Sequence, residues 1–117
     1  MDTLCRIRDI YRSIMDFEHF FQQHYGLGLN EGMLLCTLLK SEKCSSGEIA
    51  AALGLTSSNA SKIIVSVENK RLIQRSLGDS DRRQMYFSLT ADGKAMMNRI
   101  SGEDFELPEL LKDLLKQ

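Results

Sequence analysis

Asp79, Asp81, Arg82 and Arg83 crowd one short stretch, LGDSDRRQMYFSLT, residues 77–90. The chemistry open to them is ionic. Gly78, Asp79, Ser80 and Asp81 are turn formers, and Met85, Phe87 and Leu89 alternate with Gln84, Tyr86 and Ser88 as in a half-buried strand. The paired arginines therefore stand at the tip of a hairpin. A tip held away from the core can reach a narrow DNA minor groove, whose enhanced negative potential attracts inserted arginine. Arg83 is the natural inserter. Asp81 could accept hydrogen bonds from its guanidinium and hold it in one orientation, and Arg75 on the incoming strand would take backbone phosphate. The plainer alternative is a solvated cluster of exposed ion pairs worth ~0–1 kcal/mol.

A second chemically capable set lies just upstream, in LTSSNASKIIVSVENKRLI. Spacing predicts a helix to about Lys70, with Thr56 as its N-cap. At about 100° per residue, Ala60, Ile63, Ile64 and Val67 share one side. The opposite side carries Ser58, Lys62, Val65, Ser66 and Asn69, with Asn59 and Ser61 at its margins. Short hydroxyl and amide side chains on such a face can approach base edges in a major groove, and a lysine can serve phosphate or guanine. Thr56, Ser57 and Ser58 also crowd the helix N-terminus, where backbone N–H groups and the dipole favour phosphate. A solvated amphipathic helix with a Ser-rich cap is the alternative.

Overall charge does not suggest nucleic acid, because the formal net charge of the 117 residues is −1. Its distribution does. Residues 62–83 hold six Lys/Arg against three Asp/Glu, while 1–61 hold five against seven and 84–117 four against six. A basic segment between acidic flanks can be a binding face.

These residues must be positioned by the elements around them. Leu4, Ile7, Tyr11, Ile14, Phe21 and Tyr25 recur at helical spacing, with Ile10 and Phe17 widening the stripe, so a helix is predicted over 3 to about 25. Asn30 can cap a second helix whose core face is Met33, Leu34, Leu35, Leu38 and Leu39. SEKCSS reads as a turn or short strand. A third helix follows in SSGEIAAALG, with a Ser45–Glu48 capping box, Ile49 and Leu53 as buried candidates, and Gly54 as its stop. Strands are predicted at about 73–77 and 84–89. Thr90 caps a helix over 91–100, EDFEL is a linker, and Pro108 opens a short terminal helix at its first position. The fold class is mainly α with a small β-hairpin: a winged helix-turn-helix, flanked by N- and C-terminal dimerisation helices. One domain is expected over 1–117, with the core at about 30–90 and dimerisation helices at 1–25 and 91–117.

At residues 47–93 the chain resembles MarR-type transcription regulators. The resemblance rests on an ordered set: a helix, a Gly-Leu turn and a Ser-rich recognition helix. Leu72-Ile73-Gln74-Arg75, Asp81-Arg82-Arg83 and Leu89-Thr90-Ala91-Asp92-Gly93 follow in turn. It implies a homodimeric repressor or activator that responds to a ligand or to redox state and binds a pseudo-palindromic operator. It also implies recognition-helix contacts from Ser57, Ser58, Ser61 and Lys62, and a minor-groove arginine at Arg83 supported by Asp81. Arg71 stands where the family usually has a glycine, and the C-terminal region is short for the family.

Dimerisation is assigned to apolar stripes at the two ends: Leu4 and Ile7 in the first helix, and Leu107, Leu110, Leu111 and Leu114 in the last, with Leu115 extending it. The expectation is that these helices interlock with those of a partner copy. The alternative is that the last helix folds back on its own first helix. Phe17, Phe20, Phe21, Tyr25, Met33, Met96 and Met97 could line a small-molecule effector pocket, though such stripes also make plain core. Cys5, near Arg6, Arg8 and a helix N-terminus, could be a peroxide-sensing thiol or an ordinary one. Three cysteines without CxxC spacing, and His19 and His24 five residues apart, argue against a metal site. No nucleophile with a spaced base supports catalysis, so no enzyme activity and no cofactor are expected. No apolar run approaches the ~20 residues of a membrane span, and the N-terminus lacks a signal-peptide pattern, so the expected location is cytoplasmic. A winged-helix interaction module without DNA binding is the reading from another functional class.

Overall fold

The computed structural model describes residues 2–78 and 83–116. Among them six helices and three strands form two compact units, residues 2–29 with 104–116 and Asn30–Glu103.

In the first unit, α1 (Thr3–Tyr25) is capped by the Asp2 carboxylate, which accepts from the Leu4 N–H at 3.1 Å, and is closed by Gly26 at φ 71°. That left-handed stop suits glycine, which has no Cβ to clash. The two ends of α1 differ. Phe21 and Tyr25 are buried, whereas Leu4 is 73% and Ile7 54% exposed. The expected linker EDFEL is no mere spacer. Phe105 sits edge-on to Phe17, Phe20, Phe21 and Tyr25, with ring centroids 5.5–6.4 Å apart. Such aromatic pairs add to what area burial supplies. Pro108 precedes the terminal helix α6 (Glu109–Leu115) rather than opening it, and α6 packs on α1 of the same chain. This is the fold-back alternative. It half-buries Leu107, Leu110 and Leu111 and leaves Leu114 and Leu115 exposed.

The second unit begins with α2 (Leu29–Ser41), so Asn30 lies inside the helix and does not cap it. Leu34, Leu35 and Leu38 are buried, but Met33 and Leu39, expected in the same face, are 46% and 45% exposed. A straight helix presents one stripe to its neighbours, and five apolar residues in seven exceed its width. SEKCSS contains a strand, β1 (Lys43–Ser45), leading into α3 (Ser46–Leu53). The capping box is present: Ser45 N–H donates to Glu48 Oε1 at 2.8 Å, and Glu48 N–H to Ser45 Oγ at 3.2 Å. The Ser45 N–H, and after it the Ser45 hydroxyl, hold the Glu48 carboxyl below its ordinary pKa. Gly54, at φ 67°, turns the chain into α4 (Ser57–Asn69), which packs on α3. Ala60, Ile64 and Val67 are buried beneath it, while Ile63 and Leu53 are only half-buried.

β2 (Ile73–Leu77) and β3 (Met85–Leu89) pair antiparallel, Ile73 opposite Leu89 and Leu77 opposite Met85. β1 adds to the far edge of β3, with Cys44 opposite Phe87, so the expected hairpin is two strands of a three-stranded sheet. Burial pushes the Cys44 thiol up, and the Glu48 charge adds to that. Thr90 ties the sheet to α5 (Ala91–Ser101). Its N–H donates to the Leu72 carbonyl at 3.1 Å, its hydroxyl donates to the Arg71 carbonyl at 2.8 Å and accepts from the Gly93 N–H at 3.0 Å. Gly93 is required by this close approach, since a Cβ there would run into the Leu72 carbonyl. No described helix is long and apolar enough to cross a membrane.

Candidate nucleic-acid interface

The exposed side of α4 is built by a turn and a cap. Gly54 ends α3, Leu55 N–H returns to the Ala50 carbonyl at 2.9 Å, and the Thr56 hydroxyl accepts from the Asn59 N–H at 3.1 Å. The first turn of α4 is thereby presented with Ser57, Ser58 and Asn59 exposed, and Ser61 and Lys62 exposed one turn on. All five recognition-helix residues expected from the sequence share the solvent side.

Both flanks of α4 are tied down by charge. On one flank Glu31, at the start of α2 and only 7% exposed, accepts from the Ser66 hydroxyl at 2.6 Å and from the Lys70 ammonium at 2.8 and 2.9 Å. Ser66 was expected on the outward polar face; it is turned instead toward this carboxylate. On the other flank the Arg75 guanidinium grips Glu68 through two hydrogen bonds, Nε to Oε2 at 2.7 Å and Nη2 to Oε1 at 2.5 Å. It also lies over the Phe87 ring, 5.6 Å from its centroid. These bonds lower the Glu68 pKa and raise that of Arg75. Arg75, expected to take backbone phosphate, thus joins the base of the wing to the recognition helix, with its side chain still 52% exposed.

These ties change the meaning of the basic segment. Lys70 is neutralised by Glu31, 39 residues away, and Arg75 by Glu68. The formal excess positive charge that remains in residues 62–83 is that of Lys62 and Arg71, since the wing holds Asp79 and Asp81 beside Arg82 and Arg83. Of the wing residues, Arg83 is exposed at the foot of β3, where the Gly78 N–H and the Gln84 carbonyl close the ladder at 2.7 Å. Asp81 and Arg82 lie outside the described residues, as do Asp79 and Ser80. The Asp81–Arg83 pairing therefore stays an expectation. No local pattern announces Glu31 or Glu68, because their partners are brought to them by the packing of α2 and β2 on α4.

The remaining sequence candidates fall in both units. Phe17, Phe20, Phe21 and Tyr25 form the aromatic cluster with Phe105, and His24 stacks on Phe20 at 5.4 Å. Met97 is core of the other unit, and Met33 is exposed. The Cys5 thiol lies 3.6 Å from the Asp2 carboxylate, and Arg8 pairs with Asp9 at 3.1 Å. The helix N-terminus and Arg8, both invoked for activating Cys5, are thus engaged by carboxylates. Among the described residues no group of three or more His, Cys, Asp or Glu could hold a metal ion.

Arg71, at the position where a glycine is usual, adopts φ 63°. It is the left-handed residue that ends α4 and turns the chain into β2, a geometry that glycine meets without a Cβ clash.

Known structures share this fold. AbsC, a MarR family transcriptional regulator from Streptomyces coelicolor, is 27% identical, with TM-score 0.71 over 97% of this chain and 88% of its own. A MepR mutant from S. aureus superposes with TM-score 0.76 at 19% identity, over 100% of this chain and 87% of that one. The S. aureus MepR–DNA complex gives 0.65 at 22% identity, over 86% and 81%. Comparison with curated proteins gives no match. The MarR family model matches residues 25–84, which run from the end of α1 through the capped recognition helix into the wing. With more than half its length in that match and the winged fold around it, the chain belongs to the MarR family of transcriptional regulators.

Proposed function

We propose that this chain is a homodimeric, sequence-specific regulator that binds double-stranded DNA, acting as a repressor on a pseudo-palindromic operator. The recognition helix α4 enters the major groove, where Ser57, Ser58, Asn59 and Ser61 meet base edges or phosphate and Lys62 meets phosphate or guanine. Arg83 enters the adjacent minor groove, with Asp81 and Arg82 completing the wing. Arg75 holds the wing base on α4 and offers its exposed edge to the backbone. The observation that carries the reading is the outward side of α4: a capped helix with its serines and Lys62 exposed, fixed on both flanks by ion pairs. MepR, which shares the fold, has been solved bound to DNA.

The second copy is recruited through the exposed apolar residues Leu4, Ile7, Tyr11, Leu114 and Leu115. Two-fold pairing would set two recognition helices about one helical turn of DNA apart, ~34–36 Å. Titration of duplexes enriched from a random pool, at several salt concentrations, tests the DNA reading. Lys62→Ala and Arg83→Ala should each weaken binding and flatten the salt slope by about one unit. Unchanged affinity and slope in folded variants would refute it. Deletion of residues 107–117 should weaken the dimer in sedimentation; a truncated chain that stays fully dimeric would move the interface elsewhere.

A further inference from the structure

Val65 breaks the character of the surface around it. Ser58, Lys62, Val65 and Asn69 stand at i, i+4, i+7 and i+11 along α4, in one line directly opposite the buried Ala60, Ile64 and Val67. All four are exposed, Val65 by 50%. A β-branched residue is a mediocre helix former, and here half its surface finds no cover in the fold. A local choice that costs helix propensity without burial is expected where function needs it.

The position lies within the polar stripe. At about 1.5 Å per residue, Val65 stands roughly 10 Å along the axis from Ser58 and 6 Å from Asn69, with polar residues on both sides. A helix in the major groove, about 12 Å wide, brings such a residue to the floor of the groove. Valine neither donates nor accepts hydrogen bonds. Opposite guanine, adenine or cytosine it would strip water from a polar base edge and give nothing back. Thymine alone among the four standard bases presents an apolar group there, its C5-methyl.

We propose that Val65 is a specificity-determining residue that reads a thymine methyl within each half-site. The proposal rests on the DNA-binding reading above and names one base of its target.

The test uses the full chain and duplexes enriched from a random pool, followed by fluorescence anisotropy. Each thymine of the enriched site is replaced singly by deoxyuridine, which removes only the methyl. In the wild type, one thymine per half-site should lose about fourfold in affinity, the worth of one buried methyl. Val65→Ser should bind the thymine and uracil duplexes alike, and Val65→Ile should keep the discrimination. Enriched sites that bind tightly but contain no methyl-sensitive thymine overturn the Val65 assignment and leave DNA binding standing. So does a methyl sensitivity that persists unchanged in Val65→Ser. Failure to enrich any duplex overturns both. If Val65→Ser does not fold, Val65→Gln is read in the same deoxyuridine series with the same two outcomes.

Discussion

Lys70→Met should destabilise the winged unit by about 1.5 kcal/mol while leaving DNA contacts alone. Lys70 meets both oxygens of Glu31 at 2.8 and 2.9 Å, and the Glu31 side chain is only 10% exposed. Methionine keeps the bulk and removes the charge. Glu31 then holds a buried carboxylate without its cation, and removing one partner of a fully buried pair costs ~3–5 kcal/mol. Lys70 is 38% exposed, however, so solvent screens much of that loss, and the Ser66 hydroxyl still donates at 2.6 Å. About 1.5 kcal/mol is left. For a chain of 117 residues the unfolding entropy is roughly 0.25 kcal/mol/K, so Tm should fall by about 6 °C. Urea denaturation measures the same loss at constant temperature. Replacing both partners, Glu31→Leu with Lys70→Met, removes the charge that had to be compensated and should recover most of the stability. Because Lys70 is committed to Glu31, Lys70→Met should keep the salt slope of DNA binding, in contrast to Lys62→Ala. A Lys70→Met protein that melts like the wild type, or a double variant that loses the sum of the single losses, would refute the clamp.

Arg71→Gly should stabilise by about 0.5–1 kcal/mol, because glycine relieves the left-handed strain at φ 63° at a smaller entropic cost; an unchanged or lower Tm would count against it. Gly93→Ala should cost about 1–3 kcal/mol by forcing α5 off the Leu72 carbonyl, read as a lowered midpoint in urea. Glu68 carries a lowered pKa, chiefly from the Arg75 hydrogen bonds, so its contribution is present above the ordinary carboxylate range and is lost as pH falls through its folded value. Glu68→Gln should therefore flatten the stability profile of the wild type between about pH 5 and 3. Glu48 is shifted in the same direction, so some acid sensitivity should persist, and a profile identical to the wild type would show that the Glu68–Arg75 pair carries none of it.

Every helix of the winged unit could be located from sequence, because the signals that made them legible are local. A capping box needs only Ser45 and Glu48, a stop only Gly54, and a core face only the 3.6-residue recurrence of Ala60, Ile64 and Val67. The same locality made Ser57, Ser58, Asn59, Ser61 and Lys62 readable as one solvent side. What depends on residues distant in the chain was not readable. SEKCSS read equally as a turn or a short strand, and it is a strand, β1, because β3 pairs with it. Phe105 looked like linker because its partners lie about 80 residues upstream in α1. Lys70 and Arg75 counted as positive charge until packing brought Glu31 and Glu68 within hydrogen-bond distance. Ion pairs and aromatic clusters act through space and leave no period in the sequence. Their partners were settled only when α2, β2 and the segment after α5 found their places in the tertiary structure.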